Sequence, residues 1–167
     1  MPGGPFEIGV EPVLGVDLQV YKQRMRSLRE VVEGAAARAD TDFLVQRDRR
    51  LSYGEHDAWV RSAVAWLRAA GLEPGDRVAI VSANSVEWVA LFWACATAGF
   101  VAVPLNAWWK TEELEYALGD SGTRVMVCDP RRWDLVRGIV DGLPALERVV
   151  VVDRKSTRLN SSHIPLS

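Results

Sequence analysis

From Arg77 onward the chain alternates between short runs that are almost wholly apolar and longer stretches with apolar residues every three or four positions. The short runs are Arg77-Val-Ala-Ile-Val81, Phe100-Val-Ala-Val103, Arg124-Val-Met-Val-Cys128 and the four valines from Val149 to Val152. A strand with no polar face must be covered on both sides, so these runs predict a mostly parallel sheet with helices on both faces, an α/β fold. Between them the spacing predicts three helices. One is capped by Asn84, with Glu87 at its third position, and ends at Gly99. The next is capped by Thr111, with Glu112 and Glu113 in its first turn where acid suits the helix dipole, and is broken by Asp120-Ser121-Gly122. The last runs from about Arg131 to Asp141.

Upstream the pattern is less regular. Residues 1–26 read as an extended lead-in, rich in Gly and Pro at the start. A helix is predicted from about Ser27 to Arg38, with Leu28, Val31, Val32 and Ala35 on one side. Phe43-Leu44-Val45 and Leu51-Ser52-Tyr53 flank Arg47-Asp48-Arg49-Arg50 as a short hairpin. Ser52 and Glu55 then spell the Ser-x-x-Glu capping box of a helix that carries Trp59, Val60, Ala63, Val64, Trp66 and Leu67 and stops at Gly71.

One stretch tests this reading. Trp88 to Trp109 holds 22 uncharged residues, and a membrane-spanning helix needs only about 20. Gly99 and Pro104 punctuate it and its last third is β-branched, so a buried helix followed by a buried strand accounts for it better. Met1 to Pro5 carries no positive charge, and acidic residues follow before an apolar segment can build, which is not the pattern of a secretion signal. The chain carries 20 Lys+Arg against 22 Asp+Glu, with no basic block before Asp153, so neither nucleic acid nor an anionic membrane is an expected partner. The two cysteines, Cys95 and Cys128, lie in apolar runs without metal-ligand spacing. They read as buried thiols of a reducing compartment, and the protein as cytoplasmic.

Site chemistry is sparse. There is no G-x-x-x-x-G-K-[ST] and no G-x-G-x-x-G between a strand and a helix. The strand-to-helix connection Ser82-Ala83-Asn84-Ser85 could receive an anion at a helix N-terminus, or be a simple cap, which is the favoured reading. His56, beside Asp57 at a helix start, is expected to be exposed and to have no catalytic role. The pairs Glu112-Glu113 and Asp40-Asp42 are read as helix-start and turn residues instead of a carboxylate dyad. Trp108-Trp109 either line an apolar channel or cover a core edge, with the core favoured. No catalytic, cofactor-binding or metal-binding residue is therefore assigned.

Three blocks, in order, carry a resemblance: Leu51-Ser-Tyr-Gly-Glu55, then Gly71-Leu-Glu-Pro-Gly-Asp-Arg-Val-Ala79, then Ala98-Gly-Phe-Val-Ala-Val-Pro-Leu-Asn106. Together with Thr111 to Gly122, they resemble the opening part of the acyl-CoA synthetases of the adenylate-forming, AMP-binding enzyme superfamily. The likeness runs from about Ser27 to Val152. It implies the incomplete first part of that superfamily's N-terminal domain. It also implies a parent enzyme that joins a carboxylic acid, a fatty acid or an aryl acid, to CoA through an acyl-adenylate, with ATP, Mg and CoA as co-reactants. The family's phosphate loop, ribose-binding Asp and catalytic Lys have no counterparts here, so this piece alone is expected to be inactive. The alternatives are a freestanding Rossmann-like nucleotide-binding module, which would carry glycines at Ser82–Ser85, or a non-catalytic α/β interaction domain.

The character of the sequence changes at Asp153. Asp153-Arg-Lys-Ser-Thr-Arg-Leu-Asn-Ser-Ser-His163 matches the translation of a common DNA sequencing adapter. Residues 153–167 are accordingly read as a foreign tail, residues 27–152 as the truncated ligase domain and residues 1–26 as its lead-in. Without the tail, Lys+Arg is 17 and Asp+Glu 21, a net charge of −4. Genomic DNA read across the Val152 codon is expected to diverge from this tail; a clean continuation into the same residues would refute the reading.

Overall fold

The computed structural model describes residues 3–152 and 161–165, the latter by backbone alone. Its centre is a sheet built from β5 (Arg77–Val81), β6 (Val101–Pro104), β7 (Val125–Cys128), β8 (Arg148–Val152) and β9 (Ser161–Pro165), in the order β6-β5-β7-β8-β9. The first four strands are mutually parallel, with Val78 opposite Val125 and Met126 opposite Val149. These are the four apolar runs, each within about a residue of its expected limits.

Alternation along each strand divides the core in two. On one face Val78 and Val125 pack with Leu67 of α2 (Tyr53–Ala69) and with Cys95 and Ala98 of α3 (Val86–Ala98). On the other, Ala79, Val81, Met126 and Val149 pack with Leu114 and Leu118 of α4 (Thr111–Ser121) and Val136 of α5 (Pro130–Val136). Helices thus cover both faces, as the strand composition requires. Trp88 to Trp109 forms most of α3, a glycine turn and β6, and among the described residues no helix is long and apolar enough to cross a membrane. Gly99 ends α3 at φ 82, and a Cβ there would lie 3.3 Å from Pro74 Cβ.

Local caps refine the sequence reading. Ser52 and Glu55 form both bonds of the capping box. Asn84 is not the cap of α3: Ser85 is, its Oγ accepting from the Trp88 amide at 3.1 Å. Asn84 instead offers its carbonyl to Gln46 Nε2 at 3.0 Å, tying β3 (Asp42–Gln46) to this turn. Thr111 lies one residue inside α4. Lys110 is the N-cap, its amide donating to the Glu113 carboxylate at 2.9 Å, while the Thr111 hydroxyl donates to Leu135 O in α5 at 3.0 Å. The last helix is shorter than its pattern suggests. It stops at Val136 ahead of Gly138, a weak helix former, and resumes as a 3₁₀ turn at Val140–Gly142.

The upstream helix is split into α1 (Leu28–Glu33), capped by Ser27, and a 3₁₀ turn at Gly34–Arg38. β3 and β4 (Arg49–Ser52) form the expected hairpin. The lead-in is more than extended chain: β1 (Ile8–Val13) and β2 (Val16–Tyr21) pair antiparallel around a two-residue turn. That turn places Leu14 at φ 50 and Gly15 at φ 82. Leucine rarely adopts positive φ, so the sequence carries no conventional hairpin signal there.

At the far end, residues 153–160 of the suspected tail lie outside the described residues. Ser161–Pro165, within that tail, pairs antiparallel with β8. A valine strand with an unpaired edge accepts any extended backbone that reaches it, so the pairing needs no side-chain pattern.

At the N-terminal end of the strands, one cation joins three segments. Arg124 Nη1 meets Asp76 Oδ2 at 2.5 Å, and its Nε and Nη2 meet the Glu147 carboxylate at 2.7 and 2.8 Å. Arg124→Met is expected to cost about 1–2 kcal/mol, because a bidentate, three-segment network exceeds an ordinary surface pair. Arg61→Met, which breaks only the exposed i,i+4 pair with Asp57, should cost under about 0.5 kcal/mol. Urea denaturation of the two variants measures the difference.

Candidate functional site

Ligand sites in open α/β sheets lie at the carboxyl ends of the strands, where successive crossover helices diverge to opposite faces. Here that point falls between β5 and β7, which are adjacent but lead into α3 on one face and α5 on the other. The loops meeting at this rim are Ser82–Ser85 after β5, 105–110 after β6 and Asp129 after β7.

Beneath the rim, between α2, α3 and the sheet, is a cavity of about 280 Å³. Trp59, Trp66, Trp88, Leu91, Ile80 and Val150 form apolar parts of its wall, with Ser82, Ser85 and Asp129 toward the strand ends. Apolar walls with a few polar groups at one end suit an acyl or aryl group better than a free phosphate.

The anion-accepting reading of Ser82–Ser85 has a local answer. The Ala83 amide donates to Asp129 Oδ2 at 3.2 Å, and Ser85 serves as the cap of α3. An internal carboxylate already stands where a phosphate would approach. Asp129 is buried and is itself paired with Arg132, whose Nη1 lies 3.1 Å from Asp129 Oδ2.

His56 is not exposed as its helix-start position suggests. It retains 4% of its accessible surface, packs edge-on against Phe43 with ring centroids 4.8 Å apart, and leaves Nε2 without a hydrogen-bond partner. Burial lowers its pKa, against the opposing influence of Asp57 and the Val89 backbone. The capping box explains the position: it fixes the first turn of α2 so that residue 56 faces β3 and α3. That packing was not legible from the helix start alone.

Other singled-out residues are dispersed. Trp109 packs against the core, while Trp108 stays 82% exposed and does not line the cavity beneath the rim. Cys95 and Cys128 are buried, and burial pushes both thiols up to about 12. Asp42 pairs with Arg50, and Glu113 caps α4. Glu87, which helps line the cavity, forms an ion pair with Arg49 at 2.7 Å, and Arg49 lies 5.9 Å from the Trp59 ring centre. Among the described residues no group of three or more His, Cys, Asp or Glu could hold a metal ion.

Comparison with known proteins adds what the geometry does not name. The family model described as AMP-binding enzyme matches residues 31–164. A feruloyl-CoA synthase of Amycolatopsis sp. is 39% identical over 92 residues, covering 55% of this chain and 19% of that protein. The long-chain-fatty-acid–CoA ligase FadD13 of Mycobacterium tuberculosis is 39% identical over 80 residues, covering 48% of this chain and 16% of its own length. The inhibitor-bound N-terminal domain of FACL13 from the same organism superposes with a TM-score of 0.74 at 27% identity, over 83% of this chain and 36% of that one. The chain thus spans less than a fifth of the length of these two curated relatives.

Burial of His56 makes stability pH-dependent. Its pKa is lowered on folding, so below about 6.5 the unfolded chain takes up a proton that the folded one refuses. Stability is full above that pH and falls as pH drops toward the depressed folded value, by at most about 1.4 kcal/mol per pH unit. In urea unfolding at pH 7.5 and 5.0, His56→Gln should lose less stability on acidification than the parent chain. Equal losses would contradict this.

Proposed function

The chain belongs to the AMP-binding enzyme family, and from that premise we propose that it is the N-terminal part of an ATP-dependent acid–thiol ligase. In the parent enzyme a carboxylate attacks the α-phosphate of ATP, giving acyl-adenylate and pyrophosphate, and the thiol of CoA then displaces AMP to form a thioester. The observation that carries this reading is the family match over most of the chain. It is supported by superposition on 36% of the N-terminal domain of FACL13.

The acid is read as a fatty acid. An aryl acid is the second reading, supported by the equal 39% identity to feruloyl-CoA synthase and to the fatty-acid ligase. The apolar cavity beneath the rim is compatible with both. Magnesium belongs to the proposed co-reactants of the parent enzyme; among the described residues no group of three or more His, Cys, Asp or Glu could hold it. The freestanding nucleotide-binding alternative is disfavoured because the first strand-to-helix turn lacks glycine and turns an amide to Asp129. A cytoplasmic location is part of the proposal, supported by buried, unpaired cysteines. The segment from Asp153 is proposed to be foreign to the enzyme.

The test is ATP–pyrophosphate exchange by the protein encoded by the whole native reading frame, offered a long-chain fatty acid or ferulate. Exchange with one class is the expected outcome, with none from the 167-residue chain. A full-length protein inactive with both acids would sink the ligase reading.

A further inference from the structure

We propose that the buried pair Asp129–Arg132 is a positioning staple that fixes the three loops of the ligand-facing rim relative to one another. This rests on the ligase reading for its catalytic consequence, but its structural basis is independent of it.

Each bond of the pair ends at this rim. Asp129 begins the connection after β7; its Oδ1 accepts from the Arg132 amide at 3.1 Å. Its Oδ2 accepts both from Arg132 Nη1 at 3.1 Å and from the Ala83 amide, in the loop after β5, at 3.2 Å. Arg132 turns the rest of its guanidinium to the loop after β6, where Nε and Nη2 donate to Ala107 O at 3.0 and 2.8 Å. One ion pair therefore holds segments that are up to 46 positions apart in sequence. Trp108 completes the arrangement, its ring centre 5.9 Å from the guanidinium carbon and its amide donating to Asn106 Oδ1.

Stability alone is a poor explanation for this pair. Both residues retain only 7% of their accessible surface, and a buried ion pair often contributes no more than well-packed apolar residues would. What it supplies is geometry: a planar guanidinium with fixed donor directions accommodates one arrangement of the loops. It also counters the charge of Asp129, which helps line the apolar cavity that, on the ligase reading, takes the acyl or aryl group. Displacement of about 1 Å at such a rim is enough to slow a reaction by about 10²-fold.

The experiment uses the full-length enzyme with Arg132→Lys, which keeps the charge and loses the fork, and Asp129→Asn, which keeps the shape and loses the charge. Amide hydrogen exchange is expected to rise at least about tenfold at 83 and 106–109 in either variant. At Glu147, whose amide bonds Arg124 O at the opposite end of the sheet, it should stay unchanged. Unaltered exchange at the rim in both folded variants overturns the staple. In pyrophosphate exchange, kcat/KM for the acid should fall about tenfold or more in Arg132→Lys, which keeps the charge pair and a thermal midpoint within a few degrees of wild type. Faster rim exchange with unaltered kcat/KM overturns the positioning role. If the wild-type enzyme exchanges pyrophosphate with neither acid, the ligase reading fails, and hydrogen exchange still decides the staple.

Discussion

Strand β5, flanked by β6 and β7, leaves no side of the sheet that water can occupy. Val78, Ala79, Ile80 and Val81 are all buried, although successive side chains point to opposite faces. A strand of this kind is stable only between two layers, and the helices exist to supply them. Leu67, Cys95 and Ala98 close one side; Leu114, Leu118 and Val136 close the other. The short turns, the capping residues and the divergence of α3 and α5 at the β5–β7 boundary follow from that double cover.

The same constraint locates the chemistry. Because α3 and α5 leave adjacent strands for opposite faces, the strand ends between them open into a crevice. In this chain the crevice is bridged by a carboxylate, a guanidinium and backbone amides instead of a glycine-lined phosphate cradle. The apolar cavity below it is walled by tryptophans from α2 and α3. The arrangement shapes and neutralises a rim. Both thiols are buried and raised to about 12, and His56 faces inward.

Helix α3 is covered unevenly. Val86, Ala90, Ala94, Cys95 and Ala98 are buried against α2 and the sheet, while Trp88, Leu91, Phe92 and Trp93 are covered only in part. Trp88 and Phe92 stack at 5.7 Å, an arrangement that shelters each ring with the other. These partly covered side chains are compatible with a further layer of protein, and the chain spans only a small share of the length of its relatives.

Sequence alone determined the sheet, because uninterrupted apolar runs of four or five residues have one stable use, and the helices, because their spacing and glycine stops are local. It also carried the family likeness, whose blocks are turns and strand starts with fixed local demands. What only tertiary structure decided were relations between distant segments. Ser85, not Asn84, caps α3, and Gln46 from β3 bonds the Asn84 carbonyl. The Leu14-Gly15 turn was hidden by a leucine at positive φ. His56 was buried by β3 and α3, and Asp129 was joined directly to Ala83 and, through Arg132, to Ala107. Such contacts depend on which surfaces packing brings together, and a local pattern holds no record of them.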